Sequence, residues 1–296
     1  MPLNSALVGH STDALIHLVD ARWLMAYAAA LGDFNPCYMD TQKHPVVAHP
    51  VFPVCPEWPV ILNTRDLDAR DSGSTTSLSA EESARGVHAA HDLHIYQPIT
   101  AGDRIATTAT MVGIKAIKPG AAYTMRLDTV NVDTNVLVAR TYQLGIYRGV
   151  AITGGDRSIE QAPELPLFEN LAEPETFQID IAQGAAHTYT ECARIWNPIH
   201  TDRAIALAAG LPDIILHGTA TLALAISKIV NHFADGDPSC VQRLGGRFSA
   251  MISMPSTITL RAKCTDGIVS FEVINAQGKV AISGGFVEFN HLGKKA

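Results

Sequence analysis

The chain has 296 residues, of which 47% are hydrophobic and 17% charged, with a formal charge of −7. That length suffices for one large domain or two of about 150 residues. The acidic balance, with no Lys/Arg stripe ready to neutralise phosphates, excludes a nucleic-acid binder. From the N-terminus, no basic stretch is followed by an apolar run, so no signal peptide is expected. Asp20 to Leu31 (DARWLMAYAAAL) reads as a short helix, and Val51 to Asn63 as a second, apolar one. Residues 64–87 are polar and are expected to form an exposed, mobile loop. Strand-like runs follow at Ala90–Tyr96, Asp103–Ile114, Ala121–Asn131 and Leu137–Tyr147.

Residues 151–166 (AITGGDRSIEQAPELP) are rich in Gly, Pro and charge and read as a linker between halves at 1–150 and 167–296. In the second half Gly184 to Arg194 is helical. Ile214 to Ala234 is apolar on most sides, as in a buried helix; His217, Gly218, Ser227 and Lys228 interrupt it and exclude a membrane span. Strands are expected at Arg247–Met254, Ser256–Cys264, Ile268–Ile274 and Lys279–Phe289, with a hairpin turn at Asn275-Ala276-Gln277-Gly278. Gly245-Gly246 and Gly284-Gly285 read as bulges or kinks within strands. Helix plus antiparallel meander, twice over, makes an α+β architecture. The five cysteines (Cys37, Cys55, Cys192, Cys240, Cys264) have no CxxC spacing, which points to reduced thiols in a cytoplasmic protein.

The two halves share a motif. The first carries Leu31-Gly32-Asp33-Phe34-Asn35-Pro36-Cys37-Tyr38-Met39-Asp40 and then His49-Pro50; the second carries Ala193-Arg194-Ile195-Trp196-Asn197-Pro198-Ile199-His200-Thr201-Asp202 and then His217-Gly218. Asn35 and Asn197 are 162 positions apart, so each copy fills about half the chain. These segments resemble the MaoC-like hydratase/dehydratase family, which includes R-specific 2-enoyl-CoA hydratases. The resemblance implies a tandem double hotdog, each half an antiparallel sheet wrapped around a long central helix. It implies a hydro-lyase acting on a CoA or carrier-protein thioester, with no cofactor beyond the CoA of the substrate. The family motif Gly-Asp-x-Asn-Pro-x-His is split here: the first half keeps Asp33 and Asn35 but has Tyr38 for His, and the second keeps Asn197 and His200 but has Ile195 for Asp.

An imidazole of ordinary pKa both takes and gives protons near neutrality, so His200 is the candidate acid/base. Asn197 is the candidate for positioning water, and His217-Gly218 for holding the thioester oxygen, because a helix N-terminus offers free N–H groups. Asp33, Asn35 and Tyr38 mark a second, degenerate site whose half shapes the acyl pocket. Pseudo-symmetry keeps Asp33 away from His200, and Glu191 and Asp213 are the nearby substitutes for the missing carboxylate. Asp40 and Asp202 read as caps of following helices, and His49 and His217 as core histidines. On a strand, His88 and His94 would face one side and His91 the other, so no metal site is expected. The competing readings are a thioesterase on the same fold and a non-catalytic acyl-CoA-binding module. A homodimer is the favoured assembly.

Overall fold

The computed structural model describes residues 2–67, 78–166, 171 and 173–290. The first half comprises β1 (Leu3–Asn4), β2 (Leu15–Leu18), α1 (Ala21–Ala30), α2 (Pro36–Met39), α3 (Val54–Asn63), α4 (Ala80–Ala84), β3 (Gly86–Ile95), β4 (Arg104–Ile117), β5 (Gly120–Asn131) and β6 (Val136–Arg148). Two short strands, β7 (Ile152–Thr153) and β8 (Arg157–Ser158), lie between the halves. The second half comprises β9 (Glu175–Ile181), α5 (Ala185–Ala193), α6 (Arg203–Ala208), α7 (Gly218–Phe233), β10 (Val241–Phe248), β11 (Ser256–Thr265), β12 (Ile268–Ile274) and β13 (Val280–Phe289).

The main strands form one continuous sheet in the order β2-β4-β5-β6-β3-β10-β13-β12-β11-β9. Counted from its outer edge, each half has the same strand order, so the halves are related by a pseudo-two-fold axis between β3 and β10. The sheet wraps α7, whose Ala220, Leu222, Ala223, Ala225, Ile226 and Ile229 are buried. Each buried Leu or Ile contributes about 1.5–3 kcal/mol, and the alanines let the helix sit close to the strands. The architecture is the expected double hotdog. One difference is size: α7 has sixteen residues, whereas α3 has ten and carries Pro59 inside, which removes a helical hydrogen bond. The long central helix belongs to the second half only.

At the seam β3 and β10 pair antiparallel, with Leu93 opposite Leu244, Asp92 opposite Gly245 and His91 opposite Gly246. On one face Arg243 donates from Nε and Nη2 to both carboxylate oxygens of Asp92, at 2.8 and 2.9 Å. The main core spans the seam, joining Trp23, Tyr27 and Leu93 to Tyr189, Leu244 and Ile226. A Cβ on Gly245 would stand 2.2 Å from the His91 carbonyl oxygen. Backbone cannot swing away as a side chain can. Gly245→Ala is therefore expected to destabilise by about 1–3 kcal/mol, seen as a lower urea midpoint; an unchanged midpoint would show that the seam is looser than drawn.

Several expectations are corrected. The strand expected at Arg247–Met254 is displaced: β10 ends at Phe248. Edge strands β2 and β9 gave no clear sequence signal, being short or half polar. Of the 64–87 loop, residues 64–66 form a 3-10 turn and Ala80–Ala84 a helix with a Ser79/Glu82 capping box, while 68–77 lie outside the described residues. The 151–166 linker is strapped to the sheet: β8 pairs with β4, Glu160 engages Arg126 and Tyr142, and the Glu164 carbonyl accepts from Arg243. The Asn275 turn forms as expected, its side chain accepting from the Gln277 and Lys279 amides. The glycine pairs coincide with register shifts, between Gly245 and Arg247 and between Phe271 and Val273, which face Gly285 and Ile282.

Candidate functional site

The second-half motif begins where α5 ends. Arg194 adopts a left-handed conformation (φ 58°) and terminates the helix, its guanidinium 3.9 Å over the Trp23 ring. Pro198 then starts a 3-10 turn that carries His200. His200 Nδ1 donates to the Ile215 carbonyl at 2.8 Å, which leaves Nε2 as the lone-pair nitrogen. Its ring stacks on His217, centroid to centroid 3.7 Å, and His217 is the N-cap of α7. This places the imidazole against the free N–H end of the central helix, where Gly218 is exposed. Burial pushes the His200 pKa down to about 4, so the ring is neutral at physiological pH and its Nε2 can accept a proton.

His217 behaves as a core residue. Its Nε2 bonds Thr190 Oγ1 at 3.2 Å, and burial, then the neighbouring His200, hold its pKa well below the ordinary range. Asn197 accepts the His200 amide through its carbonyl, while its side-chain amide makes no cap bond. Ile195 is buried where the family has a carboxylate. Neither suggested substitute replaces it: Glu191 is exposed, and Asp213 accepts from the Ile214 amide and pairs with Arg203. Asp202 caps α6 through the Ala204 and Ile205 amides. Asp40 does not cap a helix, because none follows; it accepts from Gln42 in a turn.

The first-half motif is used differently. Asp33 Oδ1 accepts from Asn231 Nδ2 at 3.2 Å, and Asn35 Nδ2 donates to Asn231 Oδ1 and to the Gly236 carbonyl. These bonds clamp the C-terminal end of α7. Asn231 lies thirteen residues beyond Gly218, or about 20 Å along a helix, so Asp33 is indeed far from the α7 N-terminus near His200. Tyr38 is buried, and burial with the neighbouring Cys37 and Asp33 holds its hydroxyl far above the range of a base. At the place of Gly218 the first half has Pro50, which has no N–H to give an oxyanion; the sequence showed this signal in plain form. Surface depressions beside these residues are lined by both halves. One is lined by Gly32, Asp33, Phe34, Asn35, Asn231 and Gly236, another by His49, Pro50, Pro53, Gln97 and Pro238. His49 is bonded on both nitrogens, accepting from the Val51 amide and meeting Ser227 Oγ.

Two groups escaped sequence reasoning. Glu57 in α3 is buried against Thr141, which donates to its carboxylate, and burial raises its pKa to about 8. The histidines of β3 are also arranged otherwise than expected. A register shift between His88 and Ala90 turns His88 onto the His91 side, with ring centroids 5.4 Å apart, while His94 pairs with Asp92 on the opposite face. Among the described residues no group of three or more His, Cys, Asp or Glu side chains is placed to hold a metal. No described helix is long and apolar enough to cross a membrane.

Comparison with known proteins finds family matches in both halves. A family model for the MaoC like domain matches residues 170–284, and one for a FAS1-like dehydratase domain region matches residues 6–141. Enoyl-CoA hydratase 2, peroxisomal, of Arabidopsis thaliana is 40% identical over 63 residues, covering 21% of this chain and 20% of that protein. Peroxisomal multifunctional enzyme type 2 of Mus musculus is 22% identical over 69% of this chain and 28% of its own length. The matches thus span less than a third of these two relatives. 3-Hydroxyacyl-thioester dehydratase Y of Mycobacterium tuberculosis is 23% identical over 73% of this chain and 77% of its own. Among solved structures, a MaoC-like dehydratase from Phytophthora capsici superposes with a TM-score of 0.80 at 18% identity, over 96% of both chains. A Mycobacterium tuberculosis protein described as a double hotdog gives 0.59 at 14% identity, over 95% of both chains.

Proposed function

Because the chain belongs to the MaoC-like proteins, with a dehydratase-type match in each half of a double hotdog, we propose that it is a hydro-lyase for CoA thioesters, interconverting a 2-enoyl and a 3-hydroxyacyl group. The observation that carries this reading is the His200 imidazole stacked on the N-cap of α7, with Nδ1 fixed on Ile215 and Nε2 left as the base. In the hydration direction Nε2 takes a proton from water as the oxygen bonds to C3. The same nitrogen then returns a proton to C2, so one neutral imidazole serves both steps. Negative charge developing on the thioester oxygen is held by the Gly218 N–H and the positive end of α7. The Asn197 amide holds the water. Asp33, Asn35 and Tyr38 have a bracing role, and no cofactor beyond the CoA of the substrate takes part.

The names of the relatives support CoA as the carrier, with a carrier-protein thioester as the other form. The reading goes with a cytoplasmic protein, and with a homodimer through the open edge strand β2, where Ile16 and Leu18 are exposed. A second reading, a non-catalytic acyl-CoA-binding module, is favoured by the buried Ile195 in the place of the family carboxylate. The deciding measurement is the loss of enoyl-thioester absorbance on mixing the protein with short and medium 2-enoyl-CoAs, with free thiol followed in parallel. Loss of absorbance without thiol release is expected. Thiol release instead would indicate a thioesterase, and binding without either change the module.

A further inference from the structure

The inner face of the seam carries polar groups that neither the fold nor the reaction above uses. His91 is 1% exposed, and neither ring nitrogen has a hydrogen-bond partner. Buried polar atoms are normally paired, and each one left alone costs stability, so a ring with two such atoms calls for a reason. The ring faces the helix side of the sheet. Its strand neighbour Leu93 and its cross-strand partner Gln143 are buried there, beside Thr141, which reaches Glu57 on α3. The bulge before Ala90 brings His88 to the same side, half-buried and with Nε2 donating to the Ala90 carbonyl. His88 meets Phe248 edge-on at 4.8 Å between centroids. Phe248 in turn lies against Gly218, where a Cβ would stand 3.1 Å from its ring.

A contact path therefore runs from the N-terminal amide of α7, along the Phe248 ring, to the two imidazoles. We infer that His88 and His91 form the polar end of the acyl channel and select thioesters whose chain carries a neutral oxygen (hydroxyl, ether or ketone) some carbons beyond the reacting double bond. This rests on the reading above in one respect, that Gly218 holds the thioester oxygen. Neutral imidazoles offer both a donor and an acceptor, which suits an uncharged oxygen. Neither imidazole has a Lys or Arg among the charges acting on it, and Arg243 is turned to the opposite side with Asp92, so a carboxylate beside them would lack a compensating cation. An all-carbon chain would leave the His91 nitrogens unpaired, and a site built for a hydrogen bond discriminates against the ligand that lacks it.

The test is calorimetric binding of saturated acyl-CoAs of equal length in which one ether oxygen replaces a methylene at successive positions. Wild type is expected to bind the chain with its oxygen at one particular position about tenfold more tightly, or better, than the all-carbon chain. His91→Leu is expected to erase that preference and His88→Phe to weaken it, with unfolding temperatures no lower than wild type as the check on folding. The inference falls if every oxygenated chain binds no better than the all-carbon one, if no chain binds, or if the preference survives His91→Leu. Saturated chains need no turnover. A preference without hydratase activity would overturn the hydro-lyase reading alone, and activity without a preference would overturn this inference alone.

Discussion

His200→Ala is expected to lower kcat for hydration of a 2-enoyl-CoA by about 10²–10⁴-fold, the usual share of a positioned acid/base. The expectation rests on the absence, among the described residues, of a carboxylate acting on His200. The shift of His200 is set by burial and the Ile215 bond, with no carboxylate among its causes, and the family carboxylate is Ile195. His200→Gln is the informative companion. Its amide can still donate to the Ile215 carbonyl and hold the turn, yet it cannot shuttle a proton, so both variants should fall together while KM changes little. With the imidazole pKa near 4, the rate should stay flat on this limb from neutrality down to moderately acid pH. A rate that falls through the ordinary histidine range would mean another base. Equal activity of wild type and both variants would remove His200 from the reaction.

The second large effect is on stability, and it comes from groups buried far from where they titrate in water. Glu57 has its pKa raised to about 8 by burial, so the folded state binds its proton more tightly than the unfolded state. That stabilisation is complete below the unfolded value near 4.5 and is lost as pH rises towards 8, at about 1.4 kcal/mol per pH unit. The loss amounts to about 3 kcal/mol at pH 7 and 4–5 kcal/mol at pH 8. The histidines act in the opposite sense. His49, His88, His91 and His200 are lowered to about 3, 3, 4 and 4 by burial, and His217 is lowered too, so their contribution is present above 6.5 and is lost as pH falls towards those values. Below 6.5 these histidines outweigh one glutamate, and between 6.5 and 8 the loss from Glu57 dominates. Stability should therefore peak near pH 6.5. Glu57→Gln keeps the acceptor for Thr141 and cannot ionise, so urea unfolding should find it more stable than wild type by a few kcal/mol at pH 8 and little changed at pH 5. Parallel pH curves for the two proteins would show that Glu57 is hydrated in the folded state.

Much of this architecture was legible in the amino-acid order because the motif repeats. Two Asn-Pro turns 162 residues apart, each followed by an apolar helix and a meander, require two similar halves. The faces of the strands were less legible. Alternation assigned His88 and His94 to one side, but a single extra residue at the bulge reverses the parity of everything beyond it, and nothing in GVHAAHDLHIY announces where the bulge falls. The roles of the two motifs were hidden for another reason. Asp33 and Asn35 look like half an active site until Asn231 and Gly236 are brought against them from nearly two hundred residues away. The uncommitted nitrogen of His200 was similarly invisible, since it depends on the Ile215 carbonyl being in place. Pro50 was different: its missing N–H could be read directly, and it disqualifies the first half as an oxyanion site.

The ion pair at the seam has a bearing on how the chain came to be one chain. The amides of Tyr96 and Ser249 make equivalent bonds, to the Val138 and Ala281 carbonyls, so Asp92 and Gly245, which face each other, are equivalent positions of the two halves. Two copies of the first half joined along β3 would bring aspartate against aspartate, a buried like-charge encounter. Two copies of the second half would set glycine against glycine and leave each Arg243 without the Asp92 carboxylate that it grips here. Only unlike halves satisfy the join, and the half that kept an uncommitted histidine depends on the half that lost its own.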